Sequence, residues 1–135
     1  MTKILVAEDD KFLSNAYRVK LSKAGYDVKV VSDGQEALSA FDSFSPDIFL
    51  LDLVMPRIDG FVVLEKLKAE GKIGKVPILV ASNLGQKEDV DRAKSLGASG
   101  YVIKSDLSMK DLLARLKSLL PKNPPAPEAT PEKAG

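Results

Sequence analysis

The sequence contains no cysteine and no histidine. The first absence excludes disulfides, thiolate zinc sites and cysteine nucleophiles. The second excludes a Ser-His-Asp triad and any imidazole-ligated metal. A metal held by this chain must sit among oxygen ligands, which suits a hard cation such as Mg2+ or Ca2+. Long apolar runs are missing too. No stretch approaches the roughly 18 residues needed to cross a bilayer, and Ile4-Leu5-Val6-Ala7 is too short for a signal-peptide core. A cytoplasmic protein without membrane contact is the expectation. Neither sign of charge is in excess, with 20 Lys and Arg against 19 Asp and Glu. The net charge therefore gives no general pull toward nucleic acid or an anionic membrane.

What is present is a chain of 135 residues, 44% hydrophobic and 29% charged, long enough for one domain with a core and short for two. Short apolar runs alternate with helical stripes. Ile4–Ala7, Val28–Val31, Ile48–Leu51, Pro77–Ala81 and Tyr101–Ile103 read as strands. Between and after them, Leu13/Tyr17/Leu21, Ala37/Leu38/Phe41, Phe61/Leu64/Leu67, Val90/Ala93/Leu96 and Leu112/Leu113/Leu116/Leu119/Leu120 recur at helical spacing. Gly25, Gly71 and Gly97 mark helix ends. Asp33 with Glu36 resembles a capping box, and Ser108 with Asp111 caps the last helix. The run Ile48-Phe49-Leu50-Leu51 suits a central strand covered on both faces. Five strand–helix units in strict alternation predict a doubly wound parallel sheet with five helices. From Pro121 the composition changes: five of the last 15 residues are proline. Residues 1–120 are expected to form the domain, and 121–135 a Pro-rich disordered tail or linker.

In such a sheet, ligands bind at the carboxyl ends of the strands. Glu8, Asp9 and Asp10 follow the first strand, Asp52 ends the third, Ser82 and Asn83 end the fourth, and Lys104 ends the fifth. An ionised carboxylate straight after four apolar residues is costly unless paired or metal-bound, and neighbouring acids would repel it. A divalent cation would resolve the repulsion. A carboxylate nucleophile, a metal, a lysine and a hydroxyl are the parts that stabilise a transferring phosphoryl group. Taken singly, each has a plainer explanation. Acids after strands cap helices, Ser82 could cap or turn, Lys104 could be solvated, and Tyr101 could be a half-buried core aromatic. Met55-Pro56 and Asp59-Gly60 are turn chemistry. Their joint placement on one sheet edge favours the chemical reading.

Four segments carry a resemblance: Ile4-Leu5-Val6-Ala7-Glu8-Asp9-Asp10, Asp47 to Gly60, Pro77 to Ser82, and Leu96 to Lys104. In this order and spacing they resemble the receiver domain of two-component response regulators. The resemblance implies a flavodoxin-like receiver architecture with strand order 2-1-3-4-5. It implies that Asp52 accepts a phosphoryl group from the phosphohistidine of a sensor histidine kinase or a phosphotransfer protein, in an Mg2+-dependent reaction. By the same likeness, Asp9, Asp52 and the Val54 carbonyl would ligate Mg2+, with Glu8 acting through water. Asp10 has no assigned role beyond capping the first helix. Lys104 would pair with phosphoryl oxygens. Ser82 would move onto the phosphoryl group while Tyr101 turns inward, altering a face that meets an unidentified downstream protein. Homodimerisation through that face follows only by family analogy. Such a domain catalyses its own phosphorylation and dephosphorylation and nothing else, and no nucleic-acid contact is expected from this chain.

The family usually places proline after the lysine. Here Ser105 stands there, and a trans Lys104–Ser105 bond is expected. The rival readings differ in chemistry. A haloacid-dehalogenase-like phosphatase would need an acid where Val54 stands. Nucleotide binding would need a glycine-rich phosphate loop, and none follows the first strand. A phosphate-independent interaction module would not need the complete acidic site.

Overall fold

In the computed structural model, which describes residues 2–120, the chain alternates strand and helix throughout. The order is β1 (Lys3–Ala7), α1 (Lys11–Lys23), β2 (Asp27–Val31), α2 (Gly34–Phe44), β3 (Ile48–Leu51), α3 (Gly60–Ala69), β4 (Ile78–Ser82), α4 (Lys87–Ser95), β5 (Gly100–Ile103) and α5 (Met109–Ser118). The five strands are all parallel and lie in the order β2-β1-β3-β4-β5. The doubly wound sheet expected from the alternation is the one observed. Strand bounds move by a residue at most: Pro77 precedes β4, and Ser82 is its last residue. The proposed tail, 121–135, lies outside the described residues.

Strand side chains alternate between faces, and each face has its own core. Leu5, Ala7, Phe49, Leu51, Ile78 and Val80 pack with α2, α3 and α4. Ile4, Val6, Ile48, Leu50, Leu79, Ala81 and Val102 pack with Tyr17 and Leu21 of α1 and with Leu112 and Leu116 of α5. The central strand β3 is buried at every position, as its continuous apolar run requires.

Side-chain caps begin four of the five helices. Asp10 accepts from the Phe12 and Leu13 amides, Asp33 from Glu36, Asp59 from Val62 and Ser108 from Asp111. The box at α2 differs from expectation in one bond: the Glu36 carboxylate returns to the Ser32 amide at 2.9 Å, one residue before the cap. Asp33 itself is buried, and its carboxylate is paired with Arg57 at 3.3 Å. Helix α4 is the exception. It begins at Gln86 without a side-chain cap and buries only Ala93. Polar ties to α3 hold it instead, with Arg92 on Glu65 at 2.9 Å and its guanidinium 4.2 Å from the Phe61 ring centre.

Gly60 is required where it stands. A Cβ there would come within 2.5 Å of the Asp52 carbonyl oxygen. The start of α3 thus presses against the end of β3, and no side chain fits between. Among the described residues no peptide bond is cis, so Lys104–Ser105 is trans as expected. Lys104–Asp106 form a 3-10 turn. No helix among the described residues is long and apolar enough to cross a membrane.

Candidate functional site

The sheet brings the ends of β1, β3, β4 and β5 to one edge. The register continues one residue beyond the strands: the Glu8 amide donates to Val31 O and the Asp52 amide to Ala7 O, each at 3.0 Å. Glu8 and Asp52 are therefore held as firmly as strand residues. Both are buried, whereas Asp9 is exposed at the mouth. One carboxylate oxygen from each of Glu8, Asp9 and Asp52 lies within 4.8 Å of the others.

Lys104 crosses from β5 to this group. Its Nζ donates to Glu8 Oε1 at 2.8 Å and to Asp52 Oδ2 at 3.1 Å. The lysine's side chain is 12% exposed, so its ammonium is poorly screened. Burial works against that charge, but the Glu8 hydrogen bond and the charges of Asp52 and Glu8 win, and the lysine pKa moves up. Glu8 moves the other way. Burial pushes its carboxyl up to about 7, the Lys104 hydrogen bond opposes this, and the Asp52 charge adds to it. One buried cation among three acids leaves the group short of positive charge. An all-oxygen donor set with that deficit fits Mg2+, which binds through one or two carboxylates and keeps several waters.

Asp52 is oriented as well as buried. Its Oδ1 accepts from the Val54 amide at 3.2 Å, which leaves Oδ2 toward Lys104. The same bond brings the Val54 main chain beside the carboxylate. Ser82 is fully buried at the end of β4, and its Oγ accepts from the Leu84 amide at 3.2 Å. Tyr101 is half-buried with its hydroxyl donating to Leu84 O. This bond sets its ring against the β4–α4 loop. Burial raises its phenol pKa, the Asp89 charge adds, and the Ser82 hydroxyl opposes.

Of the predicted site residues, Glu8, Asp9, Asp52 and Lys104 form a single cluster, Val54 and Ser82 stand at the same edge, and Tyr101 lies within β5, opposite Val80, outside the cluster. Asp10 is a cap. Its side chain faces the α1 amides, and only its backbone amide touches the cluster, donating to Glu8 Oε2 at 3.2 Å. Asp10→Ala is accordingly expected to cost about 1 kcal/mol in urea unfolding. A variant as stable as wild type would remove its role as the cap of α1.

Two features were not foreseen. Asn83 Oδ1 accepts from the Ser105 amide at 3.0 Å and ties the β4 loop to the turn carrying Lys104; an exposed asparagine in a loop gives no sequence signal of that. Tyr17 stands in the α1/α5-side core, where the charges of Glu8, Asp52 and Asp10 reach its phenol; its helical spacing marks it only as core.

The comparisons agree with this geometry. Residues 4–117 match the model of the response regulator receiver domain. Among curated relatives, the DNA-binding dual master transcriptional regulator RpaA of Synechocystis is 33% identical over 96% of this chain and 53% of that protein. The probable transcriptional regulator ycf27 of Cyanophora paradoxa is 39% identical over 87% of this chain and 48% of that protein. The chain spans about half the length of these relatives. Of solved structures, chemotaxis protein CheY4 of Vibrio cholerae superposes with a TM-score of 0.80 at 28% identity, covering 89% of this chain and 99% of that one. The non-phosphorylated HemR receiver domain of Leptospira biflexa gives a TM-score of 0.82 at 25% identity, covering 93% and 99%. With strand order, acidic cluster and cross-sheet lysine all in the places that family's model spans, this chain belongs to the response regulator receiver domains of two-component systems.

Proposed function

We propose that this chain is a phosphoacceptor switch in which Asp52 takes a phosphoryl group from a phosphohistidine. The observation that carries the reading is Lys104 Nζ bound to both Glu8 and Asp52 in a poorly solvated cluster of acids. An Asp52 oxygen attacks phosphorus, the P–N bond to the donor imidazole breaks, and a proton goes to the departing ring. Lys104 neutralises charge on the phosphoryl oxygens, and the Val54 amide holds the carboxylate in its attacking orientation. Glu8, Asp9 and Asp52, with the Val54 carbonyl, would hold Mg2+, which when bound neutralises charge on the transferring group. The domain catalyses only reactions on itself.

The surroundings suit a protein donor. Phe12 on α1 is 83% exposed and Val54 is 57% exposed, both beside the acidic mouth. Helix α1 adds exposed Lys11, Arg18, Lys20 and Lys23 and no acid. We place the histidine kinase or phosphotransfer protein there. The output face is the groove of about 410 Å3 lined by Val90, Tyr101, Ile103, Leu107, Asp111 and Arg115. Tyr101 and Ser82 both bond the Leu84 backbone, so movement of Ser82 toward a phosphoryl group would reach this face through the β4–α4 loop. A downstream protein or a second copy of the chain would read it. The curated relatives are named as transcriptional regulators, and gene control is the output this likeness suggests, with DNA contact left to another part of such a protein.

The test is beryllofluoride, a mimic of the phosphoryl group, added with and without Mg2+. Amide NMR shifts are expected around Asp52, Ser82 and Lys104 and along β5, and only when Mg2+ is present. Binding that ignores Mg2+, or that misses this edge, would defeat the assignment.

A further inference from the structure

Among the described residues one buried side-chain polar atom has no hydrogen-bond partner, the hydroxyl of Tyr17. The residue is 1% exposed and stands among Ile4, Val6, Leu50, Ala81 and Val102. A phenylalanine ring would fill the same space. The O–H, left unmade, costs about 1–3 kcal/mol, and such a group in a folded protein calls for an explanation.

Strand alternation shows what lies above it. Glu8 follows Ile4 and Val6, and Asp52 follows Ile48 and Leu50, onto the α1/α5 side of the sheet. Ladder bonds still hold both residues. Their carboxylates, bridged by Lys104, therefore roof the layer in which Tyr17 stands. The phenol senses them: burial first, then the charges of Glu8, Asp52 and Asp10, push its pKa up. The hydroxyl stays protonated and is a donor without an acceptor, on the side of the sheet that Glu8 and Asp52 face.

Those acids share one ammonium. A phosphoryl group on Asp52 brings three strong acceptor oxygens to Lys104, and the bond from Nζ to Glu8 Oε1 is then in competition. We infer that Tyr17 is a positioning residue of this site, its O–H becoming the donor to Glu8 when Lys104 turns to the phosphoryl oxygens of modified Asp52. The inference rests on the phosphoacceptor reading above. A donor unsatisfied in the resting form and satisfied in the modified form shifts the balance toward the modified form. The ring gives Tyr17 its structural role; the hydroxyl gives it this one.

The experiment compares wild type, Tyr17→Phe and Asp52→Asn with beryllofluoride at fixed Mg2+. Tyr17→Phe is expected to bind beryllofluoride about tenfold more weakly, with thermal stability of the unmodified protein equal to or above wild type. The tyrosine Fermi doublet in the Raman spectrum reports phenol hydrogen bonding directly. Recorded in a Tyr26→Phe/Tyr101→Phe background, which leaves Tyr17 as the one tyrosine of the chain, it is expected to change toward the donor pattern on beryllofluoride binding, and this needs no variant at position 17. Undiminished binding in Tyr17→Phe, or an unchanged doublet while wild type binds beryllofluoride, overturns the role of Tyr17 alone. Wild type that responds no more than Asp52→Asn overturns the phosphoacceptor reading, and this inference falls with it.

Discussion

Asp52→Asn is expected to abolish phosphorylation by acetyl phosphate while leaving the fold intact. The amide supplies no nucleophilic oxygen anion, and loss of the group that forms the covalent bond lowers the rate by on the order of 10²-fold or more. Intact mass reads this directly: wild type with Mg2+ gains one phosphoryl group, and the variant gains none. The fold survives because of how the carboxylate is held. The Val54 amide fixes Oδ1, so the new carbonyl keeps that place and the new NH2 faces Lys104. Two donors then meet, and Lys104 withdraws to Glu8, its nearer partner at 2.8 Å. One charge-assisted bond is lost, but the Asp52 charge that helps raise the Glu8 pKa goes with it. Unfolding free energy without metal is expected to stay within about 1 kcal/mol of wild type. A variant that still gains mass would move the acceptor to another carboxylate.

The fold was legible because its signals are local. Apolar runs bounded by Gly, Asp and Pro gave five strands, and helical stripes gave the elements between them. Their positions at strand ends put Glu8, Asp52, Ser82 and Lys104 on one edge. What stayed hidden depends on side-chain direction and on neighbours distant in sequence. The Glu36 carboxylate accepts from the Ser32 amide rather than that of Asp33, and nothing near position 36 announces that. Asn83 reaches Ser105 across two loops. Tyr17 carries the spacing of a core residue and is one; only three-dimensional packing reveals a buried hydroxyl left without a partner. Helix α4 kept its stripe of Val90, Ala93 and Leu96 but buries one residue of it. The pattern fixed which side faces the sheet, not how deeply the helix sits.

The buried acids also make the site costly to fold, and Glu8 is where that cost can be measured. Its carboxyl is raised from 4.5 to about 7, by burial first and with the Asp52 charge adding. The folded protein therefore binds this proton more tightly than the unfolded chain does. Stability from this group is fully present below about pH 4.5 and is lost as pH rises through about 7. The loss, complete about one pH unit above that, is on the order of 3 kcal/mol. Lys104 keeps its charge across this window, since its pKa is raised from 10.5. Urea unfolding of metal-free protein is expected to show the decline, and saturating Mg2+ to reverse it at the alkaline end by binding the folded form. Glu8→Gln removes the proton and the charge together. At alkaline pH the metal-free variant is expected to be more stable than wild type by on the order of 1–3 kcal/mol, with Lys104 left to Asp52 alone. At pH 4.5 the two should converge. The same variant should be about tenfold less responsive to Mg2+, because the folding cost and the cation's grip come from one carboxylate. A wild-type stability curve that stays flat across this range without metal, or a Glu8→Gln variant no more stable at its alkaline end, would show Glu8 ionised throughout and Lys104 sufficient to neutralise the cluster by itself.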